Sequence, residues 1–131
     1  MAAIRGRDTG PELRVRRLLH KLGYRYRLHE PRLPGRPDIA FPGRKKVIEV
    51  RGCFWHCHDS PSCRKAKLPA TRSSFWSAKL DSNVARDRRN IEALTALGWS
   101  TLIVWECELR NEDELQRRLT SFLGSRVAAK R

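Results

Sequence analysis

The sequence of 131 residues predicts one α/β domain with a mixed central sheet. Three short apolar segments follow one another, which is typical of strands in an antiparallel meander. A long amphipathic segment then leads to a continuous apolar segment, which is typical of a right-handed crossover to a parallel strand. The predicted order is therefore a helix, three strands, a second helix, a fourth strand and a third helix.

The first half of the chain contains the first helix and the meander. Thr9 can cap the helix, and Glu12 lies three residues after it, as in a capping box. Gly23 is placed to end the helix. The apolar residues at helical spacing are Val15, Leu18, Leu19 and Leu22. Apolar residues bounded by Pro and Gly predict strands at residues 24–28, 38–41 and 46–50.

The second half begins with a loop at residues 52–71 that has no clear period and needs something to order it. A helix is predicted from Ser73 or Ser74 to about residue 97. Its apolar face contains Phe75, Trp76, Leu80, Val84, Ile91, Leu94 and Leu97. Residues 99–105 predict a fully buried strand, and Asn111 caps the last helix. Residues 1–8 and 125–131 are expected to be flexible.

The charge balance points to a polyanionic partner. The chain has 28 Lys and Arg residues against 14 Asp and Glu residues, a net charge of +14. Nucleic acid is the usual partner of such a domain, and the preponderance of Arg favours bidentate phosphate contacts. An ordinary solvated basic surface is the alternative. An anionic membrane is disfavoured, because the chain has neither a basic amphipathic anchor nor an apolar run long enough to span a bilayer.

The four cysteines predict a metal site. The N-terminal residues lack the apolar segment of a signal peptide, so the sequence predicts a cytoplasmic protein, in which cysteines serve as metal ligands more often than in disulfides. Structural zinc takes four ligands. The candidates are Cys53, Cys57, Cys63, Cys107, His56 and His58. An all-cysteine site and a mixed site both remain open.

Asp38, Glu49 and Arg51 predict a second, harder metal site. Glu49 and Arg51 differ by two positions and therefore face the same side of one strand. A hairpin can bring Asp38 beside them, and two converging carboxylates suit Mg²⁺. Such a cation would activate a water against a phosphodiester, with Arg51 stabilising negative charge. An ordinary surface aspartate and a Glu–Arg pair are the alternative.

These residues resemble the PD-(D/E)XK nuclease superfamily, with Pro37-Asp38 and Glu49-Val50-Arg51 as the signature and Arg in place of the usual Lys. A sharper resemblance is to the very short patch repair (Vsr) DNA mismatch endonucleases. It is carried by residues 3–9 (AIRGRDT), 33–38 (LPGRPD), 52–56 (GCFWH), 69–72 (PATR) with Phe75-Trp76, 83–89 (NVARDRR) and 105–107 (WEC). It implies a restriction-endonuclease-like core with a zinc-braced loop, and Mg²⁺-dependent nicking of duplex DNA beside the T of a T:G mismatch.

The resemblance also implies roles for single residues. Asp38 matches a Mg²⁺ ligand and His56 the catalytic histidine; Glu12 matches a glutamate near the active site, with its capping position as an equal alternative. The implied zinc ligands are Cys53, His58, Cys63 and Cys107, with Cys57 as the alternative to His58. Phe54, Trp55 and Trp76 match aromatic side chains that wedge into the DNA stack, although Trp76 also suits core packing. The DNA-binding arginines would be Arg5, Arg7, Arg72 and Arg86.

One strand departs from the Vsr pattern, which has no acidic residue at position 49 and a histidine at position 51. Here Glu49 can add a Mg²⁺ ligand, Arg51 supplies only charge and hydrogen bonds, and His56 is the one obvious imidazole for proton transfer. His20 and His29 are expected to be surface residues. The sequence therefore predicts a monomeric mismatch-repair endonuclease that interacts with other mismatch-repair proteins. A nuclease of the same fold without mismatch preference and a zinc-stabilised DNA-binding module are the alternatives.

Overall fold

A mixed four-stranded sheet with three α-helices forms the computed structural model, which describes residues 10–53 and 73–124 except the side chains of Ser73, Ser74 and Trp76. The helices are α1 (Gly10–Lys21), α2 (Ser73–Ala96) and α3 (Glu112–Leu123). The strands are β1 (Arg27–Leu28), β2 (Ile39–Phe41), β3 (Lys46–Arg51) and β4 (Ser100–Trp105), and a short 3-10 helix spans Glu106–Arg110. The predicted zinc-braced loop lies outside the described residues, apart from its first two positions.

The sheet has the order β1-β2-β3-β4. The β1–β2 and β2–β3 pairs are antiparallel, and β3–β4 is parallel. The meander and the parallel neighbour that follows α2 are thus confirmed. The parallel pair requires a crossover, and in the described residues α2 lies between β3 and β4 in the chain.

Alternation along the strands divides the apolar residues between two sides of the sheet. Ile39, Phe41 and Ile48 pack with α1 and α3 in the main core. Ala40 and Val47, their neighbours in sequence, pack instead against Leu94 of α2 in a smaller cluster. Helices α1 and α3 therefore cover one face of the sheet, and α2 covers the other.

Local sequence signals explain the helix ends. Asn111 accepts a 3.1 Å hydrogen bond from the main-chain N–H of Glu114 and confirms the predicted cap of α3. Gly23 has a φ of +91°, so it provides the left-handed residue after α1 that the sequence predicted. The cap predicted at Thr9 lies outside the described residues.

Several predicted boundaries and burials are wrong. The strand predicted at residues 24–28 is shorter, because β1 has only two residues paired with β2. The strand predicted at 99–105 is not fully buried: only Val104 is, because β4 is an edge of the described sheet. Phe75 and Leu97, predicted on the apolar face of α2, are 48% and 54% exposed, because Phe75 lies in the first turn of the helix and Leu97 follows its last residue.

Candidate active site

Asp38 lies immediately before β2 and next to β3. The antiparallel register pairs Ile39 with Ile48, so the strand end brings Asp38 beside the following residues of β3. Its Oδ2 atom accepts a 2.8 Å hydrogen bond from the main-chain N–H of Val50. The side chain is thereby held beside β3, at the end of the strand pair where the sequence predicted a site.

Glu12 and His29 lie beside Asp38. One potential ligand atom from each of the three residues lies within 4.8 Å of the others, and this is the one such group found among the described residues. The Nε2 atom of His29 is 2.8 Å from Oε2 of Glu12, whose side chain is 2% exposed. Helix α1, the end of β1 and the start of β2 each contribute one member.

His29 corrects a prediction, because the sequence placed it on the surface. Its side chain is 16% exposed and contacts a buried carboxylate. The β1–β2 pairing of Leu28 with Ile39, continued by one residue, puts His29 opposite Asp38. The main-chain N–H of His29 donates a 3.0 Å hydrogen bond to the carbonyl of Asp38. Only the register of β1 against β2 could have revealed this contact, and the sequence alone does not specify that register.

Asp38 has an unusual protonation equilibrium for an aspartate. Burial, which removes water from the carboxylate, raises its pKa to about 7. The hydrogen bond from Val50 and the charge of Arg51 lower the pKa, and the charges of Glu12 and Glu49 raise it. A bound cation would favour the ionised form of this carboxylate.

Glu49 and Arg51 form a separate cluster with Asp87 of α2. Oε1 of Glu49 accepts hydrogen bonds from Nη2 and Nε of Arg51 at 2.8 and 3.2 Å. Nη1 of Arg51 is 4.0 Å from Oδ2 of Asp87, and its guanidinium lies 5.9 Å from the centre of the Trp105 ring. Glu49 is not part of the group formed by Glu12, His29 and Asp38. Its predicted role as a metal ligand remains a prediction.

Cys53 and Cys107 follow adjacent parallel strands. The register pairs Arg51 with Trp105, and the two cysteines come two residues after these partners. Cys53 is fully buried, and Cys107 is half-buried in the 3-10 helix. The topology thus brings two of the predicted zinc ligands to the same end of the β3–β4 pair.

Many predicted site residues lie outside the described part of the chain, and their roles stay predictions. They are Arg5, Arg7, Phe54, Trp55, His56, Cys57, His58, Cys63 and Arg72. The backbone of Trp76 belongs to α2, and Arg86 is exposed on the same helix. No helix among the described residues is long and apolar enough to cross a membrane.

Comparison with known proteins gives a consistent family. The chain is 49% identical over 123 residues to the type II nicking enzyme V.XorIIP of Xanthomonas oryzae pv. oryzae, covering 94% of this chain and 88% of that protein. It is 48% identical over 115 residues to the DNA mismatch endonuclease Vsr of Escherichia coli, covering 88% of this chain and 72% of that protein. The type II nicking enzyme V.NmeAIP of Neisseria meningitidis is 39% identical over 123 residues, 94% of this chain and 86% of that protein.

A sequence model of the same family matches residues 1–63, which include Glu12, His29, Asp38 and Arg51. The matched residues therefore contain the whole group of ligand atoms around Asp38, and the full-length relatives extend the match through α2 and β4. On these grounds, the chain belongs to the DNA mismatch endonuclease Vsr family.

Proposed function

We propose that the protein is a divalent-metal-dependent endonuclease that nicks duplex DNA at T:G mismatches in very short patch repair. The observation that carries the proposal is the half-buried Asp38 carboxylate, whose ligand atom lies within 4.8 Å of those of Glu12 and His29. The names of the relatives, a mismatch endonuclease and type II nicking enzymes, support the same reaction class. The net charge of +14 suits a DNA substrate.

The donor atoms around Asp38 fit a hard divalent cation such as Mg²⁺. Carboxylate oxygens are its preferred protein ligands. A cation would offset the desolvation, and the lesser repulsion by Glu12 and Glu49, that raise the pKa of Asp38 to about 7. Asp38 would be the principal ligand, and Glu49 a second one. When bound, the cation would polarise the phosphodiester and lower the pKa of the attacking water.

The other residues of the site would orient the reactants and move protons. His56 would accept a proton from the attacking water and return it to the leaving oxygen, because imidazole titrates near neutral pH. Arg51 would supply positive charge toward the phosphate, since it lines a surface cleft with Arg88 and Asp87. Glu12 would orient water beside Asp38.

Substrate selection would depend on aromatic side chains. Phe54, Trp55 and Trp76 would insert beside the mismatch, where unstacking is cheapest, and replace the lost base stacking. Arg5, Arg7, Arg72 and Arg86 would contact the phosphate backbone. The protein would act as a monomer and cooperate with other mismatch-repair proteins.

A structural zinc would order the segment between β3 and α2. Cys53 and Cys107 fit this role because the β3–β4 register brings them to one end of the strand pair. Cys63 and either His58 or Cys57 would complete the four ligands. The thiolates suit zinc and not Mg²⁺, so the two metal sites would differ in chemistry.

A strand-resolved nicking assay tests the proposal. Purified protein with Mg²⁺ should nick the T-containing strand of a T:G duplex in a cytosine-methylase sequence context, and should leave a C:G duplex and single-stranded DNA uncut. EDTA and Asp38→Asn should each abolish nicking, because both remove the metal. Equal cleavage of T:G and C:G would instead support a nuclease without mismatch preference. The departure from the Vsr pattern at Glu49 and Arg51 favours this alternative. Binding without Mg²⁺-dependent turnover would support a DNA-binding module.

A further inference from the structure

We propose that His29 is a positioning residue that holds the carboxylate of Glu12 in place beside Asp38. The inference rests on the proposed function, because it assigns His29 to the metal site of that nuclease. Its foundation is the 2.8 Å contact between Nε2 of His29 and Oε2 of Glu12. His29 thereby acts through Glu12.

The burial of Glu12 makes its partners important. The side chain is 2% exposed, and a buried carboxylate requires hydrogen-bond donors in place of water. Arg16, one turn along α1, places Nη1 3.3 Å from the same oxygen atom that His29 contacts. Two donors on Oε2 fix the rotation of the carboxylate about its last bond. The orientation of Glu12 toward Asp38 is therefore set by its neighbours.

The backbone of His29 ties this arrangement to Asp38. Its N–H donates a 3.0 Å hydrogen bond to the Asp38 carbonyl. Its φ of +48° lies in the left-handed region, which residues other than glycine rarely adopt. Such conformations persist where the surrounding structure determines them, and they concentrate at functional sites. One residue therefore contacts the Glu12 carboxylate through its side chain and the Asp38 carbonyl through its backbone.

The chemistry favours positioning over direct ligation. Mg²⁺ prefers oxygen ligands, whereas imidazole suits later transition metals. The Nε2 atom already contacts Glu12, so its function is that of a donor to a carboxylate next to the cation. Residues of this kind typically change metal affinity or activity about 10–100-fold when replaced.

Three substitutions at position 29 separate positioning from simple packing. His29→Gln keeps an N–H donor near the place of Nε2, His29→Leu keeps the volume without a donor, and His29→Asn has a donor too short to reach Glu12. His20→Leu, at an exposed position on α1, is the matched control. Each variant is assayed for nicking of a T:G duplex, for Mn²⁺ affinity by electron paramagnetic resonance without DNA, and for Tm.

We expect His29→Leu and His29→Asn to lower kcat and Mn²⁺ affinity about 10–100-fold, with KM for DNA unchanged. His29→Gln should restore both, and His20→Leu should match the wild type. If His29→Leu does not fold, His29→Asn decides the comparison with His29→Gln. Wild-type kcat and Mn²⁺ affinity in the variants without a suitable donor would overturn the proposal. So would a loss in His29→Gln as large as that in His29→Leu at equal Tm.

A second arm tests whether His29 acts through Glu12. In a Glu12→Gln background, adding His29→Leu should cause little further loss of Mn²⁺ affinity, because the positioned carboxylate is already gone. Fully additive losses would contradict the proposal. A wild-type protein that does not nick T:G duplexes would refute the proposed function, while the Mn²⁺ affinities would still decide the role of His29.

Discussion

The main-chain N–H of Val50 donates a 2.8 Å hydrogen bond to Oδ2 of Asp38 and joins the start of β2 to β3. This bond favours the ionised carboxylate, but burial outweighs it and raises the pKa to about 7. The surroundings of Asp38 therefore make its charge costly when no cation is bound. In the proposed role of Asp38 as a metal ligand, stability and function conflict at this residue.

Asp38→Asn should stabilise the protein in a pH-dependent manner. Between the unfolded-state value of 3.8 and the folded-state value of about 7, the folded protein retains a proton that the unfolded chain releases, so wild-type stability falls as pH rises. The amide carries no charge and keeps an acceptor for Val50. We expect a gain on the order of 1–4 kcal/mol at about pH 8 that nearly disappears at about pH 4.

Urea denaturation in EDTA across this pH range measures the gain. A difference between variant and wild type that does not change with pH would contradict the raised pKa of Asp38. Addition of Mg²⁺ supplies the second arm. It should raise the Tm of the wild type and not that of Asp38→Asn, because a ligand that binds only the folded wild type stabilises only that protein.

Gly35→Ala should destabilise the loop that leads to Asp38. Gly35 has a φ of +77°, and a Cβ atom there would lie 2.6 Å from Nδ2 and 2.7 Å from Cγ of Asn90 on α2. The residue therefore combines a left-handed backbone with a close approach to a neighbouring helix. We expect a loss of about 2–4 kcal/mol in the free energy of unfolding, from backbone strain plus overpacking.

Two control variants separate these contributions. Gly98→Ala has a similar φ of +87°, and only Nζ of the flexible Lys45 side chain, at 4.0 Å, is near the added Cβ, so it reports backbone strain without a steric clash. Asn90→Ala combined with Gly35→Ala should recover the steric part of the loss and leave the strain. Chemical denaturation gives the free energy of unfolding of each variant. A Gly35→Ala variant no less stable than Gly98→Ala would show that the contact with Asn90 adds no measurable loss of stability.

The sequence was sufficient for elements whose signals are local. The spacing of Val15, Leu18 and Leu19 predicted α1, and the structure buries all three. Asn111 predicted the start of α3 from its capping side chain. The length of β1 was beyond such reasoning, because it depends on how many residues its partner strand offers.

In the candidate site, too, the sequence predicts what depends on local signals and misses what depends on contacts between distant segments. Asp38 could be selected from its position before a strand, but His29 could not, since its contact with Glu12 depends on the β1–β2 register and on a left-handed backbone. The pairing of Arg51 with Glu49 follows from their spacing of two along β3, whereas the approach of Asp87 requires the packing of α2. Contacts between distant segments require the fold.

Arg51 should be coupled more strongly to Glu49 than to Asp87. Its shortest distance to a carboxylate oxygen is 2.8 Å for Glu49 and 4.0 Å for Asp87. Double-mutant cycles with Arg51→Met, Glu49→Gln and Asp87→Asn should give coupling energies of about 1–3 kcal/mol for the first pair and below about 1 kcal/mol for the second. Urea denaturation provides each free energy. The reverse order of coupling would contradict the arrangement described for this cluster.

Cys107→Ser should remove a structural zinc, if the two cysteines at the ends of β3 and β4 bind one. The protein purified without chelator should contain about one zinc per chain, measured by mass spectrometry of the metal. Cys107→Ser should lose the zinc and more than about 4 kcal/mol of stability, an effect large enough to indicate a lost metal. Cys57→Ser distinguishes the two candidates for the fourth ligand. Retained zinc in this variant would support His58, and lost zinc would support Cys57. Full zinc content and wild-type Tm in Cys107→Ser would refute the assignment of Cys107.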